Sequence, residues 1–402
     1  MKVLAAPWRK RPVADGGDPC THALVIGTSS YAHLPGPDEP LGTADGPTFG
    51  LGQAQTPATS AWAFANWLDA SYNNPLTPLG TIRLLLSPSA AEQQQIPQLG
   101  ALEPTVELPT RKNVSAALRA WRDDCRTNAG HVAILFVGGH GVQITKEDSL
   151  VLLQDFASPD QENLLSGALD VGSIRRAMCG ATIAQDQYYF VDACRLRPGI
   201  FDDYATLEGA LRLDVPNDPP PSVSPVFYGA SSGTAALGEP GKGTLFCQAL
   251  LDCLDLYAVE DPEMDGKWTV TPSSLYRALP KRVRERAEGL DASQKATSGG
   301  DIGEERPFHE LPQPPNVPVT IGVDPAEAGP VSWAKLWFGT VPDPVVDHAA
   351  LTQPLTKPLP AGLYSLEVTI DPATNPYRGT THAIPLPVLP PKSAFTHRAV
   401  AP

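Results

Sequence analysis

Four runs of the chain are apolar almost from end to end: HALVIGT (22–28), TIRLLLS (81–87), HVAILFVG (131–138) and QYYFVDAC (187–194). A strand with one wet face alternates in polarity, whereas a strand covered on both faces does not. Helical periods stand between these runs. TSAWAFANWLDASY (59–72) carries Trp62, Phe64, Ala65, Trp67 and Leu68 at helical spacing, with Thr59 or Ser60 as its cap. NVSAALRAWRDDCRTNAG (113–130) starts on an Asn cap and has apolar residues at 114, 117, 118 and 121. A short helix closed by glycine is expected at 171–180, and longer ones at 244–257 and 271–289, with Pro280 a kink or boundary in the last. SPVFYGASSG (224–233) supplies a fifth strand and DSLVLLQDF (148–156) a short ribbon. Alternation of such strands with helices predicts an α/β fold, a mostly parallel sheet with helices on both faces. Ligands of such sheets bind at the carboxyl ends of the strands.

The texture changes after residue 307. NVPVTIGVD, SWAKLWFGTV and AGLYSLEVTID carry β-branched and aromatic residues between Pro/Gly turns, with no helical period. Three segments are therefore expected: an N-terminal extension over 1–21, the α/β domain over 22–312, and a small all-β, sandwich-like accessory domain over 313–402. The 44 prolines concentrate at 35–57, 216–225, 307–330 and 342–402, which read as loops, linkers and β edges.

A net charge of −14 argues against nucleic acid or an anionic membrane as partner, since both need a basic face. No apolar run has the length of a signal or membrane-spanning segment, so a cytoplasmic protein is expected. The six cysteines lack CxxC spacing and read as free thiols. Cys20 and His22 are a two-ligand pair without evident partners, and no metal site is expected from them. GEPGKGT (238–244) lacks the Walker spacing, and no GxSxG elbow occurs.

Two of the apolar runs end on reactive residues. HVAILFVGGHG presents His140 between glycines, and DQYYFVDACR presents Cys194. A thiol becomes a strong nucleophile as the thiolate, and a histidine can hold its proton and later protonate a leaving amine. Bare glycine backbone lets a carbonyl approach N–H donors that stabilise an oxyanion. Neighbouring strands ending at one edge would bring the two residues together.

These segments resemble the caspase/metacaspase clan of cysteine peptidases. The likeness spans about 22–312. FVGGHG is similar to the clan's Y-S-G-H-G motif, with Gly for Ser, and YYFVDACR to its D-x-C motif. HALVIGTSSY resembles the first strand, DSLVLLQD the strip after the histidine, and ERPFHEL the closing Q-x-P segment. VFYGASSGTAALGEPGKGTLFCQALLDCL resembles the fifth strand and the helix after it, with Cys247 where Thr is usual. The resemblance implies a cysteine endopeptidase: Cys194 as nucleophile, His140 as general acid and base, and the N–H groups of Gly141 and Cys194 as oxyanion hole. It implies Asp192 in the S1 pocket, selecting Arg or Lys at P1, and puts Ser60 where the metacaspase branch has a second acid. Arg195 stands where that branch has His, close enough either to lower the Cys194 pKa or to pair with Asp192 and spoil a basic P1 preference. Clan members are often cut in the loop corresponding to 195–223, where Arg195, Arg197 and Arg212 are candidate self-cleavage points. A protein or peptide substrate is expected, with the β domain as a surface for a regulatory partner, and bacterial relatives often serve stress or conflict systems. No cofactor is expected; Asp155, Asp202 and Asp203 are the acids available to calcium, without an EF-hand loop. The alternative is a catalytically silent scaffold.

Overall fold

The computed structural model describes residues 6–11, 17–43, 46, 48–102, 106–143, 150–160, 163–196, 209–214, 220–303, 306–339, 341–371, 376–377, 379 and 383–400. Two compact units divide the chain: Met1–Asp252 with Thr271–His309, and Cys253–Val270 with Glu310–Pro402. Among the described residues no helix is long and apolar enough to cross a membrane.

The first unit contains, in chain order, β1 (Arg9–Lys10), β2 (Thr21–Thr28), α1 (Pro57–Ala70), β3 (Leu79–Ser87), α2 (Ala90–Gln95), α3 (Arg111–Cys125), β4 (Val132–Gly139), α4 (Val171–Ala177), β5 (Asp186–Ala193), β6 (Val226–Tyr228), α5 (Leu245–Asp252), α6 (Pro272–Glu288) and β7 (Thr297–Gly299). The sheet is seven-stranded with the order β1-β3-β2-β4-β5-β6-β7. The five inner strands pair in parallel, and the two edge strands are antiparallel. The architecture is the expected one, a mixed and mostly parallel sheet with helices on both faces.

Every residue of β2, β3, β4 and β5 is buried, which is why these strands carry no polar alternation. Alternate residues serve opposite faces. Leu24 and Ile26, Leu135 and Val137, and Tyr189 and Val191 join Val114, Leu118 and Trp121 of α3 and Ile174 of α4. On the other face Phe64 of α1 stacks on Phe136 at 5.0 Å and meets Phe190 at 5.5 Å. Gly27 lets α1 approach β2: a Cβ there would lie 2.6 Å from Ala61 Cβ. Trp121 is fully buried and donates its Nε1–H to the His22 carbonyl at 2.9 Å. Trp121→Ala is expected to cost about 3–5 kcal/mol, read as a lowered urea midpoint at unchanged slope.

Element boundaries differ from expectation where capping competes. Helix α1 starts at Pro57 after Thr56, because Thr59 is taken up by the buried Glu92, which accepts its N–H at 2.9 Å and its hydroxyl at 3.0 Å. Helix α3 is capped by Thr110, whose side chain accepts the Asn113 N–H, and ends at Cys125. The fifth apolar strand shrinks to the three residues of β6, α5 passes into a π-helical turn over Cys253–Tyr257, and α6 continues through Pro280.

In the second unit, among the described residues of 316–398, seven strands form two sheets. Asn316–Asp324 pairs with Leu355–Pro360 and, in parallel, with Ser393–Arg398. Ser332–Phe338 pairs with Val346–Ala349 and Gly362–Ile370, and the latter with Ile384–Val388. Burial alternates along Ser332–Phe338 and Gly362–Ile370, so each of these strands keeps one face dry.

Candidate active site

Strands β4 and β5 run in parallel register, with Gly138 opposite Asp192 and Gly139 opposite Ala193. The next residue on each strand is His140 or Cys194. Both therefore leave the sheet at its carboxyl edge, on strands ~4.8 Å apart. Beyond His140 the chain enters a small ribbon of Gly141–Val142, Leu150–Leu152 and Ala168–Asp170. Gly141 is required by close approach: a Cβ there would lie 2.1 Å from the Cys194 carbonyl oxygen and 2.8 Å from Ala193 Cβ.

The His140 ring is held on two sides. It stacks on Tyr31, centroids 5.1 Å apart, and the His140 backbone N–H donates to the Tyr31 hydroxyl at 2.7 Å. Nε2 lies 2.7 Å from the Gly52 carbonyl oxygen. A carbonyl only accepts, so Nε2 carries the hydrogen and Nδ1 keeps its lone pair. Burial pushes the imidazole below its usual pKa, and the Gly52 bond opposes this.

The Gly52 carbonyl is itself anchored through Gln53. Its Oε1 accepts the Tyr31 N–H at 2.7 Å, and its Nε2 donates to the carbonyls of Tyr31 at 3.0 Å and Leu34 at 2.8 Å. Tyr31, Gly52 and Gln53 carry no residue-type signature of this role; the Pro/Gly-rich stretch hides a backbone acceptor. Gln53→Ala is expected to lower kcat by about tenfold to a hundredfold with KM little changed, since it lets the ring drift. Steady-state kinetics on a fluorogenic peptide would check it.

Cys194 is partly buried, and its sulfur accepts the Ala236 N–H at 3.2 Å. Burial raises its pKa above the usual thiol value, the Ala236 N–H counteracting in part. The expected lowering by Arg195 is thus overturned: desolvation dominates, and the Arg195 guanidinium lies over the Tyr228 ring at 4.4 Å. A partly buried thiol with its pKa raised and a partly buried imidazole with its pKa lowered both rest neutral near pH 7.

Asp192 is only 1% exposed, and burial raises its carboxyl pKa to about 7. Its Oδ2 accepts the Thr244 hydroxyl, while Oδ1 has no partner among the described residues. Ser60 Oγ donates to Thr244 Oγ1 at 3.1 Å and accepts the Thr244 N–H at 2.8 Å. Asp192 and Ser60 therefore belong to one chain of contacts, joined by Thr244, which also caps α5 by accepting the Cys247 N–H at 3.1 Å. Thr244 sits in a glycine-rich turn and gave no warning in the sequence. Gly243 (φ +89°) makes the approach; a Cβ there would lie 2.7 Å from Ser60 Oγ. Across from Oδ1 is Gly229, whose carbonyl accepts from Gln294 Nε2 at 2.7 Å.

Asp155 accepts the Arg111 N–H at 3.0 Å at the start of α3. Asp202, Asp203 and Arg197 lie outside the described residues. Arg212 Nε is 3.4 Å from Asp170 Oδ2.

A family model described as the caspase domain matches residues 93–298, just over half of the chain. The matched segment includes His140, Asp192 and Cys194, and it begins after Tyr31, Gly52 and Ser60. Among solved structures the chain is similar to caspase-1 from Spodoptera frugiperda, with a TM-score of 0.42 and 10% identity, covering 76% of this chain and 98% of that one. No curated protein matches the chain in sequence.

Proposed function

The chain belongs to the caspase-domain family of cysteine peptidases, and from this premise we propose that it is an endopeptidase working through Cys194 and His140. Membership in a peptidase family implies a protein or peptide substrate. The observation that carries the reading is the register of β4 and β5, which ends two neighbouring strands on a histidine and a cysteine. In the forward step His140 Nδ1 takes the thiol proton as Cys194 Sγ bonds to the peptide carbonyl carbon. The carbonyl oxygen becomes an oxyanion beside the N–H groups of Gly141 and Cys194. As the C–N bond breaks, the imidazolium returns its proton to the departing amine, leaving a thioester on Cys194. Water then adds to that thioester, His140 accepting its proton, and the carboxylic acid leaves as the thiol re-forms.

The unpartnered Oδ1 of Asp192 favours a basic P1 side chain, since a buried carboxylate oxygen is stabilised by a cation that reaches it. Ser60 contributes through Thr244 and not as a second charge. Cleavage within 195–223 by the enzyme itself, control by a partner bound to 313–402, work in the cytoplasm and independence of calcium belong to the same reading.

Activated ketones with Arg or Asp at P1 test it, with adduct mapping by mass spectrometry. Labelling of Cys194 by the P1-Arg compound in preference to P1-Asp is the expected result. Preferential labelling by P1-Asp would refute the assignment of Asp192. Incubating the protein beside Cys194→Ala reads self-processing: fragments from the first alone support it, and identical single bands remove it. The silent-scaffold reading draws on the Ala236 N–H that occupies the sulfur. It predicts no ketone adduct at all.

A further inference from the structure

At the amino edge of the sheet, the end opposite His140, three soft donor atoms meet. Cys20 immediately precedes β2, His22 is its second residue, and His131 immediately precedes β4. Parallel pairing with Thr21 opposite Val132 brings Cys20 and His131 together across 111 residues of sequence. Cys20 Sγ lies 3.3 Å from His22 Nε2 and 3.6 Å from His131 Nδ1, and one donor atom from each of the three lies within 4.8 Å of the others. Ligands at ~2.3 Å for sulfur and ~2.0–2.1 Å for nitrogen around a tetrahedral ion sit roughly 3.3–3.6 Å apart. All three residues are buried.

The hydrogen bonds behind the two rings settle which nitrogens are bare. Thr81 Oγ1 donates to Asp124 Oδ2 at 3.3 Å, so at 2.9 Å from His22 it accepts from Nδ1–H. Thr127 Oγ1 donates to the Asp124 carbonyl at 2.8 Å, so at 2.7 Å from His131 it accepts from Nε2–H. The lone pair on His22 Nε2 is left facing the sulfur at 3.3 Å, and that on His131 Nδ1, 3.6 Å from the sulfur, accepts the Cys20 N–H at 2.9 Å. Metal-binding histidines need this outer arrangement, one nitrogen donating to a fixed acceptor so that the other carries the lone pair. Gly80 keeps the space clear: a Cβ there would lie 2.8 Å from Cys20 Sγ and 3.3 Å from His22 Cε1.

We propose that Cys20, His22 and His131 form a structural zinc site that ties the amino ends of β2 and β4 together. One thiolate and two neutral imidazoles suit Zn2+ and not the harder Ca2+ or Mg2+. Binding releases the Cys20 thiol proton to solvent. His131 Nδ1 exchanges the Cys20 N–H it accepts at 2.9 Å for the ion.

The test uses the full chain carrying Cys194→Ala, so that the catalytic thiol supplies no ligand, with Co2+ as probe and Zn2+ as competitor. One equivalent of Co2+ should give a sulfur-to-cobalt charge-transfer band and tetrahedral d–d bands, both abolished by Zn2+. Zn2+ should raise the thermal midpoint. Adding Cys20→Ser should remove the charge-transfer band. Adding His131→Gln, which keeps an acceptor for the Cys20 N–H, should weaken Co2+ binding at least ~100-fold and serves if the serine variant does not fold. Thr81→Val should weaken it by about ten- to a hundredfold. A band that survives Cys20→Ser or His131→Gln, or a parent protein that gives none, overturns the proposal.

Discussion

Replacing Cys194 by Ala is expected to lower kcat/KM for peptide hydrolysis by at least ~10^4-fold, and His140→Ala by a similar factor. On the proposed mechanism the two residues act as one proton-transfer unit, so the double variant should be no worse than either single one. The fold should barely notice. Cys194→Ala removes one acceptor of the Ala236 N–H, worth about 1 kcal/mol. Urea unfolding beside progress curves separates the two effects. Hydrolysis by Cys194→Ala within tenfold of the parent would end the nucleophile assignment. Because desolvation lowers the pKa of the partly buried His140, the acid limb of the rate profile should fall below the ordinary histidine value of 6.5.

Asp192→Asn should separate selectivity from stability with opposite signs. Loss of the buried charge is expected to reduce cleavage after Arg or Lys by on the order of 10²–10³-fold, with much less effect on labelling of Cys194 by a small alkylating agent. Stability should move the other way. The folded carboxyl has its pKa raised from 3.8 to about 7, so the folded state holds a proton that the unfolded state releases. Wild-type stability contributed by this group is present below pH ~4 and is lost as pH rises towards 7. The amide variant escapes that loss, so a gap should open in its favour across this window, reaching about 4 kcal/mol as an upper bound. Thermal melts of both proteins from pH 4 to 8 would reveal it. Cleavage after Arg by the wild type should also rise with pH through about 7, as the carboxylate forms, and the variant should lack that limb. A destabilised variant with its basic preference intact would make Asp192 a mere loop support.

The inner strands could be recognised in the sequence because burial on both faces removes the polar alternation that makes other strands ambiguous. His140 and Cys194 could be recognised because each follows such a strand directly. The helix starts differ from the expected Thr59 or Ser60 and Asn113 for a physical reason: Thr59 bonds to Glu92, so α1 begins after Thr56 without a side-chain cap, and Thr110 accepts the Asn113 N–H to cap α3. Helix α2, AAEQQQ, is too short to show a period and was hidden among prolines. The Gly52 carbonyl has no side chain to advertise it, and Thr244 became visible only when α5 folded its first turn against Asp192. Cys20 and His22 lacked a third ligand on paper because it lies 111 positions away, across a parallel pairing.

Asp192 and Cys194 share one strand end, two residues or ~6.7 Å apart. A backbone bar paired into a sheet does not stretch, so on the proposed function the residue that reads and the residue that cuts keep a constant offset. On that proposal the molecule is a ruler with its mark and its blade cast in one piece. Tolerance for a different side chain would have to evolve in Ser60 of α1 and in Thr244 just before α5, because any shift in the bar itself would move the blade as well.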